Sequence, residues 1–339
     1  MSASQTAQEK LLPKCPARLS RQQLDEFAER GFLVFREVLT AAEVKKAKRA
    51  LCEIIESRAP RIAAHSLTRK TADGRSYWNY YDDYFNYRGT QFGDATEVIY
   101  NPGLRIQGEP ADDSESVKHE GAQLRIRKIE NYKDAHPFLY YLIHTHKRIQ
   151  GVMESLLCDA PQPYSSMALL KPPKGGVEKP WHQDNAYFNV KPLDAVVGLW
   201  IALDLANVAN GCMHVLPGMH RAGAFKHYHW RDCQIASGVL PEEEAVPVEL
   251  APGEGIFFSP MLPHMTPPNI STTERFAIQL HFRGSKSVLI SKKEFDQLFV
   301  ASDGSPASCF PADGKNELPA EGLSSTGKTE TETRANEEQ

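Results

Sequence analysis

Nowhere in the 339 residues do 18 apolar residues run in succession, so no segment has the length of a membrane-spanning helix. Residues 1–14 hold no apolar run of secretory length. The final Glu337-Glu338-Gln339 is neither a peroxisomal nor an endoplasmic-reticulum retrieval address. These absences point to a cytoplasmic protein with no membrane partner. An excess of basic charge is also missing. The 39 Lys and Arg stand against 43 Asp and Glu, which leaves no field to attract nucleic acid or an anionic surface. The six cysteines, Cys15, Cys52, Cys158, Cys212, Cys233 and Cys309, include no C-x-x-C pair. That argues against a structural zinc site and a dense disulfide framework, and the six read as reduced, mostly packing residues. Without a G-x-G-x-x-G, a Walker A sequence or a repeat period, the dinucleotide-binding, P-loop and solenoid architectures lose support.

What is present is ordinary globular material, 41% apolar and 24% charged, in a length that one large β domain with appended segments accommodates. Residues 1–19 are polar and read as a flexible N-terminal segment. Ser20 with Gln23 forms a capping box that opens a helix through Glu29, and Gly31 ends it. Phe32-Leu33-Val34-Phe35 reads as a buried strand. A second capping box, Thr40 with Glu43, starts a helix over roughly 41–58, with Val44, Ala47, Leu51, Ile54 and Ile55 at helical spacing and Pro60 closing it.

Residues 61–120 are rich in Arg, Asp, Gly and Tyr and read as a variable insert, either a lid or a surface excursion packed by its own aromatics. Residues 124–159 return to helical spacing. From Tyr164 onward the chain breaks into short strands bounded by Pro and Gly: 167–170, 181–188, 196–203, 212–216, 246–250, 255–258 and 275–282. That pattern predicts a mainly β domain with flanking helices over 20–303, a sandwich or jelly roll. Residues 304–339 are dominated by Ser, Gly, Pro, Ala, Glu and Thr, cannot bury enough apolar surface to offset ordering, and are expected to form a disordered tail.

The stretch Trp181-His182-Gln183-Asp184 places two metal-type ligands at i and i+2, which on a strand point to one side about 7 Å apart. A lone His-x-Asp arises often by chance. Here His264 follows, just beyond the apolar strand Gly255-Ile256-Phe257-Phe258, and then Arg275, at the head of a strand whose Ala277, Gln279 and His281 share its face. Two imidazoles and one carboxylate hold a divalent ion while leaving three adjacent positions open, as non-haem Fe(II) oxygenases require. Zinc sites are more often closed by cysteines or completed by a single water. A guanidinium donates two parallel hydrogen bonds to a planar carboxylate. Metal plus arginine therefore predicts a cosubstrate with a 2-oxo acid at one end and a carboxylate at the other.

Over roughly residues 20–295 the chain resembles the phytanoyl-CoA 2-hydroxylase (phytanoyl-CoA dioxygenase) family of Fe(II)/2-oxoglutarate-dependent oxygenases. The resemblance rests on Met167-x-x-x-Lys171-Pro172-Pro173, His182-Gln183-Asp184, Asn210-Gly211-Cys212, Leu216-Pro217-Gly218 with His220, then His264 and Arg275. It implies a double-stranded β-helix fold, jelly-roll and cupin-like, with Fe(II) held by His182, Asp184 and His264. It also implies 2-oxoglutarate anchored by Arg275 and contacted by Lys128, Met167, Trp200 and Thr266, the last standing where the family has a serine. Arg125 and Arg127 are alternatives to Lys128. Relatives that halogenate lack the carboxylate, so Asp184 favours hydroxylation. The implied reaction consumes O2, decarboxylates 2-oxoglutarate to succinate and CO2, and hydroxylates a small or medium organic substrate, an acyl-CoA or another metabolite. The alternative is a non-catalytic cupin-like module that binds a metal or a carboxylate.

Other residues stay open between function and packing. His144 and His146 read as surface or packing histidines. His227, Tyr228, His229 and Trp230 either roof a pocket or pack a loop, and His281 is either a site residue or a core histidine. Asn269 either braces the loop after His264 or approaches the substrate. Lys171, Lys174, Lys179 and Lys191 are candidates for a phosphate-binding nest. No feature sets an oligomeric state.

Overall fold

The computed structural model describes residues 12–65, 67–70, 74–81, 104–108 and 126–311. Two antiparallel sheets pack on one another. The larger runs β1 (Phe32–Phe35), β14 (Gly255–Phe258), β9 (Val196–Ala202), β16 (Arg275–Gly284), β6 (Pro161–Lys171), β5 (Ile126–Glu130), β4 (Arg105–Gly108), β3 (Ser76–Tyr81) and β2 (Leu67–Lys70). The smaller runs β13 (Val246–Val248), β10 (Met213–Val215), β15 (His264–Thr266) and β7 (Lys179–His182). Two short ribbons, β8 (Val190–Lys191) with β17 (Val288–Leu289) and β11 (His227–His229) with β12 (Cys233–Ile235), flank them. This is the expected jelly roll.

Alternation decides which side chains meet. Even-numbered residues of β6 and β16 (Ala168, Leu170, Ile278, Leu280, Phe282) are buried under the helices Pro137–His144 and Lys147–Leu157, which contribute Leu139, Leu142, Ile143, Ile149, Val152 and Met153. The opposite face packs Trp200, Ile256, Phe258 and Ala277 onto Met213, Val215 and Val248 of the smaller sheet. Cross-strand partners share a face, so one row on that inner side reads Tyr81, Arg105, Glu130, Met167, Gln279, Trp200, Ile256. The next reads Asn79, Gln107, Lys128, Leu169, Ala277, Ala202.

Both predicted capping boxes are present. Ser20 and Gln23 cap Arg21–Arg30, with Gly31 left-handed at its end, and Thr40 and Glu43 bond reciprocally. The second helix runs Ala41–His65 and continues through Pro60. Its inner stripe of Leu51, Ile54 and Ile62 remains fully covered beyond the proline, so packing outweighs the one lost hydrogen bond.

Five further sequence expectations need correction. Residues 61–120 do not form only an excursion: β2, β3 and β4 extend the large sheet, while 82–103 and 109–125 lie outside the described residues. Helical spacing in 124–159 begins late, since Ile126–Glu130 is a strand whose Ile126 and Ile129 are buried. The expected 181–188 strand ends at His182 and gives way to a 3-10 turn, Asp184–Tyr187. The cysteines are not all free, for Cys233 and Cys309 form a disulfide between positions 76 residues apart. That bond lies in a strap, residues 304–311, that is ordered where composition predicts a disordered tail. Its Ala307 and Cys309 pack with Phe295 and Phe299, and residues from 312 onward lie outside the described residues. Among the described residues no helix is long and apolar enough to cross a membrane.

Gly198 is a tight point of the inner face. It is the register partner of both Phe258 and His281, and a Cβ there would come 2.5 Å from the Phe258 ring. Gly198→Ala is therefore expected to destabilise the protein by about 1–3 kcal/mol through overpacking. Adding Phe258→Leu should recover part of the lost thermal stability. An unchanged Tm in the single variant would show that the ring is free to move.

Candidate metal centre

The smaller sheet delivers both histidines. His182 ends β7, His264 begins β15, and the two are direct register partners, with ring centroids 4.2 Å apart. The 3-10 turn after His182 then swings Asp184 inward, so that its Oδ1 lies 3.3 Å from His182 Nε2 and 3.7 Å from His264 Nε2. All three side chains are buried, and their ligand atoms lie within 4.8 Å of one another. The turn makes the site.

Tautomers are set by the backbone. His182 Nδ1 donates to the Pro180 carbonyl at 2.9 Å, and His264 Nδ1 donates to the Leu262 carbonyl at 2.9 Å. A neutral imidazole has one N–H, so each Nε2 keeps its lone pair for a metal. Burial, reinforced by Lys179 nearby, lowers the His182 pKa, and burial with His182 alongside lowers that of His264 to about 3. Both rings are neutral at physiological pH, the state a ligand needs.

The large sheet holds the carboxylate. Asp184 Oδ2 accepts from Gln279 Nε2 at 2.9 Å and from His281 Nε2 at 2.8 Å, leaving Oδ1 to face the histidines. Burial by itself would raise the Asp184 pKa. The neighbouring His281 and the hydrogen bond from its Nε2 work against that and help hold it well below the usual carboxylate range. Sequence pattern alone gives Gln279 no functional role and leaves His281 open between site and core. The signal for both was their position on the face of Arg275, four and six residues along the strand.

Arg275 is 1% exposed, and Nη1 donates to the Gly211 carbonyl at 2.6 Å. Its guanidinium carbon stands 5.2 Å from the Trp200 ring. Burial lowers its pKa to about 10, so it is still charged. Among the described residues no carboxylate forms an ion pair with it, and both Arg275 Nε and Trp200 Nε1 are buried without a partner. Gly211 has φ +83°, and a Cβ there would come 2.4 Å from the Pro267 carbonyl oxygen, so only glycine brings its carbonyl to the guanidinium.

The other predicted contacts are distributed as follows. Met167 and Trp200 flank Gln279 in one inner row, and Thr266 is buried at the end of β15. Lys128 lies on the same inner face, paired with Glu130 at 2.5 Å, whereas Arg127 faces Asp232 at 3.5 Å and Arg125 lies outside the described residues. Asn269 braces the loop, donating to the carbonyls of Lys171 and Thr273. His146 caps its helix and meets Glu43, and His144 ends the preceding helix, so both have structural places. His229 packs on Phe310 at the surface, and His227 is buried rather than roofing a pocket.

Two buried neutral imidazoles and one clamped carboxylate, presented from two packed antiparallel sheets, define a jelly-roll oxygenase with a facial two-histidine, one-carboxylate site. The chain belongs to the phytanoyl-CoA dioxygenase family, whose profile matches residues 27–277. It is 30% identical over 208 residues to phytanoyl-CoA dioxygenase domain-containing protein 1 of Bos taurus, covering 61% of this chain and 67% of that one. To the Arabidopsis thaliana phytanoyl-CoA dioxygenase it is 25% identical over 267 residues, covering 78% and 88%. The fold is shared with EvdO2 from Micromonospora carbonacea var. aurantiaca, solved with 2-oxoglutarate, at TM-score 0.53 and 22% identity over 80% of this chain and 93% of that one. It is also shared with EctD from S. alaskensis, solved with bound Fe, at TM-score 0.53 and 19% identity over 83% and 86%.

Removing either clamp on Asp184 should weaken metal binding without abolishing it. Gln279→Leu and His281→Phe are each expected to lower Co(II) affinity about 10–100-fold, the range for partners that orient a ligand. A loss of less than about threefold in both, measured by competition with a chromophoric chelator, would remove the clamp from the account. The pH dependence has a defined sign. The unfolded chain protonates His182 and His264 near 6.5 while the folded chain resists it. Stability of the metal-free protein is therefore full above about pH 7 and declines as pH falls through 6. A Tm that rises between pH 7 and 5 would contradict this.

Proposed function

We propose that the chain is an Fe(II)- and 2-oxoglutarate-dependent hydroxylase of a small or medium polar substrate. The observation that carries the reading is Arg275. A buried guanidinium with no carboxylate partner among the described residues is costly by several kcal/mol, and a ligand carboxylate removes that cost. Along β16 the order is Arg275, Ala277, Gln279, so about 13 Å of strand joins the guanidinium to the Asp184 clamp. Between them Ala277 and its register partner Ala202 offer only methyl groups, which leaves room for a five-carbon dicarboxylate.

In this reading Arg275 Nε and Trp200 Nε1 donate to the cosubstrate, and the Trp200 ring excludes water from the guanidinium. Met167 and the Thr266 hydroxyl complete the wall. Lys128 stands on the same face, with its charge shared by Glu130. His182, Asp184 and His264 fit Fe(II), which when bound activates dioxygen. In the overall balance one oxygen atom of O2 enters succinate as CO2 leaves 2-oxoglutarate, and the other becomes the hydroxyl replacing a substrate C–H. The protein orients the reactants and excludes competing reactions.

The inner face beyond Met167 favours a polar substrate over a fatty chain, because Glu130, Arg105, Lys128, Gln107 and Asn79 occupy it. Three of the four candidate lysines are already engaged. Lys171 donates to the carbonyls of Thr266 and Pro267, Lys179 pairs with Asp232, and Lys191 pairs with Glu294. This supports a metabolite without a coenzyme A phosphate nest built from them.

Succinate formation tests the proposal and separates it from a non-catalytic binding module. Wild-type protein should convert 2-oxoglutarate, His182→Ala and Asp184→Ala should abolish conversion, and Arg275→Ala should chiefly raise the 2-oxoglutarate requirement. Undiminished succinate from either ligand variant would sink the assignment. An unaltered 2-oxoglutarate requirement in Arg275→Ala would take that residue out of the cosubstrate site.

A further inference from the structure

The peptide between the two ligands of the His-x-Asp segment is itself held by a histidine. His227 is fully buried on β11, and its Nε2 accepts from the Gln183 backbone N–H at 2.9 Å. Its Nδ1 donates to the Ala307 carbonyl at 3.0 Å. The two bonds fit only one state of the ring: Nε2 bare, Nδ1 carrying the proton. With a proton on Nε2 the ring would place an N–H against the Gln183 N–H.

The rest of Gln183 is anchored as firmly. Its side-chain oxygen accepts from the Phe225 N–H at 2.9 Å, and its Nε2 donates to the carbonyls of Gly223 at 2.9 Å and Met261 at 2.7 Å. The strap that carries Ala307 is itself tied down. Cys309 N–H donates to the Ala186 carbonyl at 3.0 Å, and its sulfur is bonded to Cys233 on β12. The backbone leaving His182 is thus fixed on one side by a loop and on the other by a C-terminal strap, with His227 as the connecting piece.

We infer that His227 is a positioning residue for the metal centre: by accepting the Gln183 amide proton it fixes the peptide whose rotation would move His182 and Asp184 relative to one another. The Ala307 carbonyl chooses the tautomer that lets it do so, which makes residues 304–311 part of the site. The inference rests on the reading of His182, Asp184 and His264 as metal ligands. A ring that touches no metal acts here through one backbone hydrogen bond, the kind of support that commonly governs ligand geometry.

The test uses the full chain and Co(II), whose visible spectrum reports ligand geometry. Wild-type protein should bind Co(II); failure to do so defeats the metal-site reading itself, independently of His227. His227→Gln, which keeps an acceptor at the Nε2 position, should bind within about threefold of wild type. His227→Leu, which keeps bulk but no acceptor, should bind about 10–100-fold more weakly and alter the Co(II) spectrum. Equal affinities for wild type and His227→Leu, or equal losses in the Gln and Leu variants, would overturn the inference. If His227→Leu does not fold, nitrogen NMR of histidine-labelled wild-type protein decides the matter. The Nδ1–H tautomer with a hydrogen-bonded Nε2 is expected, and the Nε2–H tautomer would refute the role.

Discussion

A carboxylate buried between two sheets must have its charge compensated, and Asp184 has this done from both sides. Gln279 and His281 of the large sheet take one oxygen, and the histidines of the small sheet face the other. A hydrogen bond to a charged group is typically worth about 1.5–3 kcal/mol. The two sheets are therefore coupled at the point where the chemistry is proposed to occur. The relative position of β7, β15 and β16 is set by the same contact that orients the ligand.

The second constraint is Arg275. Its cation is kept dry by Trp200, braced by the Gly211 carbonyl and, among the described residues, left without an ion-pair partner. In the proposed reading this buried cation receives an anionic ligand, and the small residues Ala277 and Ala202 between it and the Asp184 clamp set the room available. The guanidinium and the Gln279 and His281 clamp on Asp184 lie along one strand, which would suit a molecule with functional groups at both ends.

Much of this was legible in the sequence because it depends on residue type and short spacing. The order His182, Asp184, His264, Arg275 names the centre, the Ser20 and Thr40 capping boxes mark two helices, and alternation along β16 puts Arg275 and His281 on one side. What was not legible depends on pairing between distant segments. The clamp by Gln279 needs the small sheet to pack across β16. The extension by β2–β4 needs strands whose aromatic and polar residues read equally well as loop. The order in 304–311 comes from contacts with Phe299 and Cys233 that local composition does not encode. The turn at Asp184 was missed because strand geometry alone accounts for an i, i+2 pair.

The most direct measurement is an anaerobic titration of metal-free full-length protein with Fe(II), with and without 2-oxoglutarate, followed by visible absorption. The account predicts one Fe(II) per chain and a weak charge-transfer band that requires metal and 2-oxoglutarate together, as expected when a 2-oxo acid chelates the metal. Stoichiometric Fe(II) binding with no band on adding 2-oxoglutarate would contradict it.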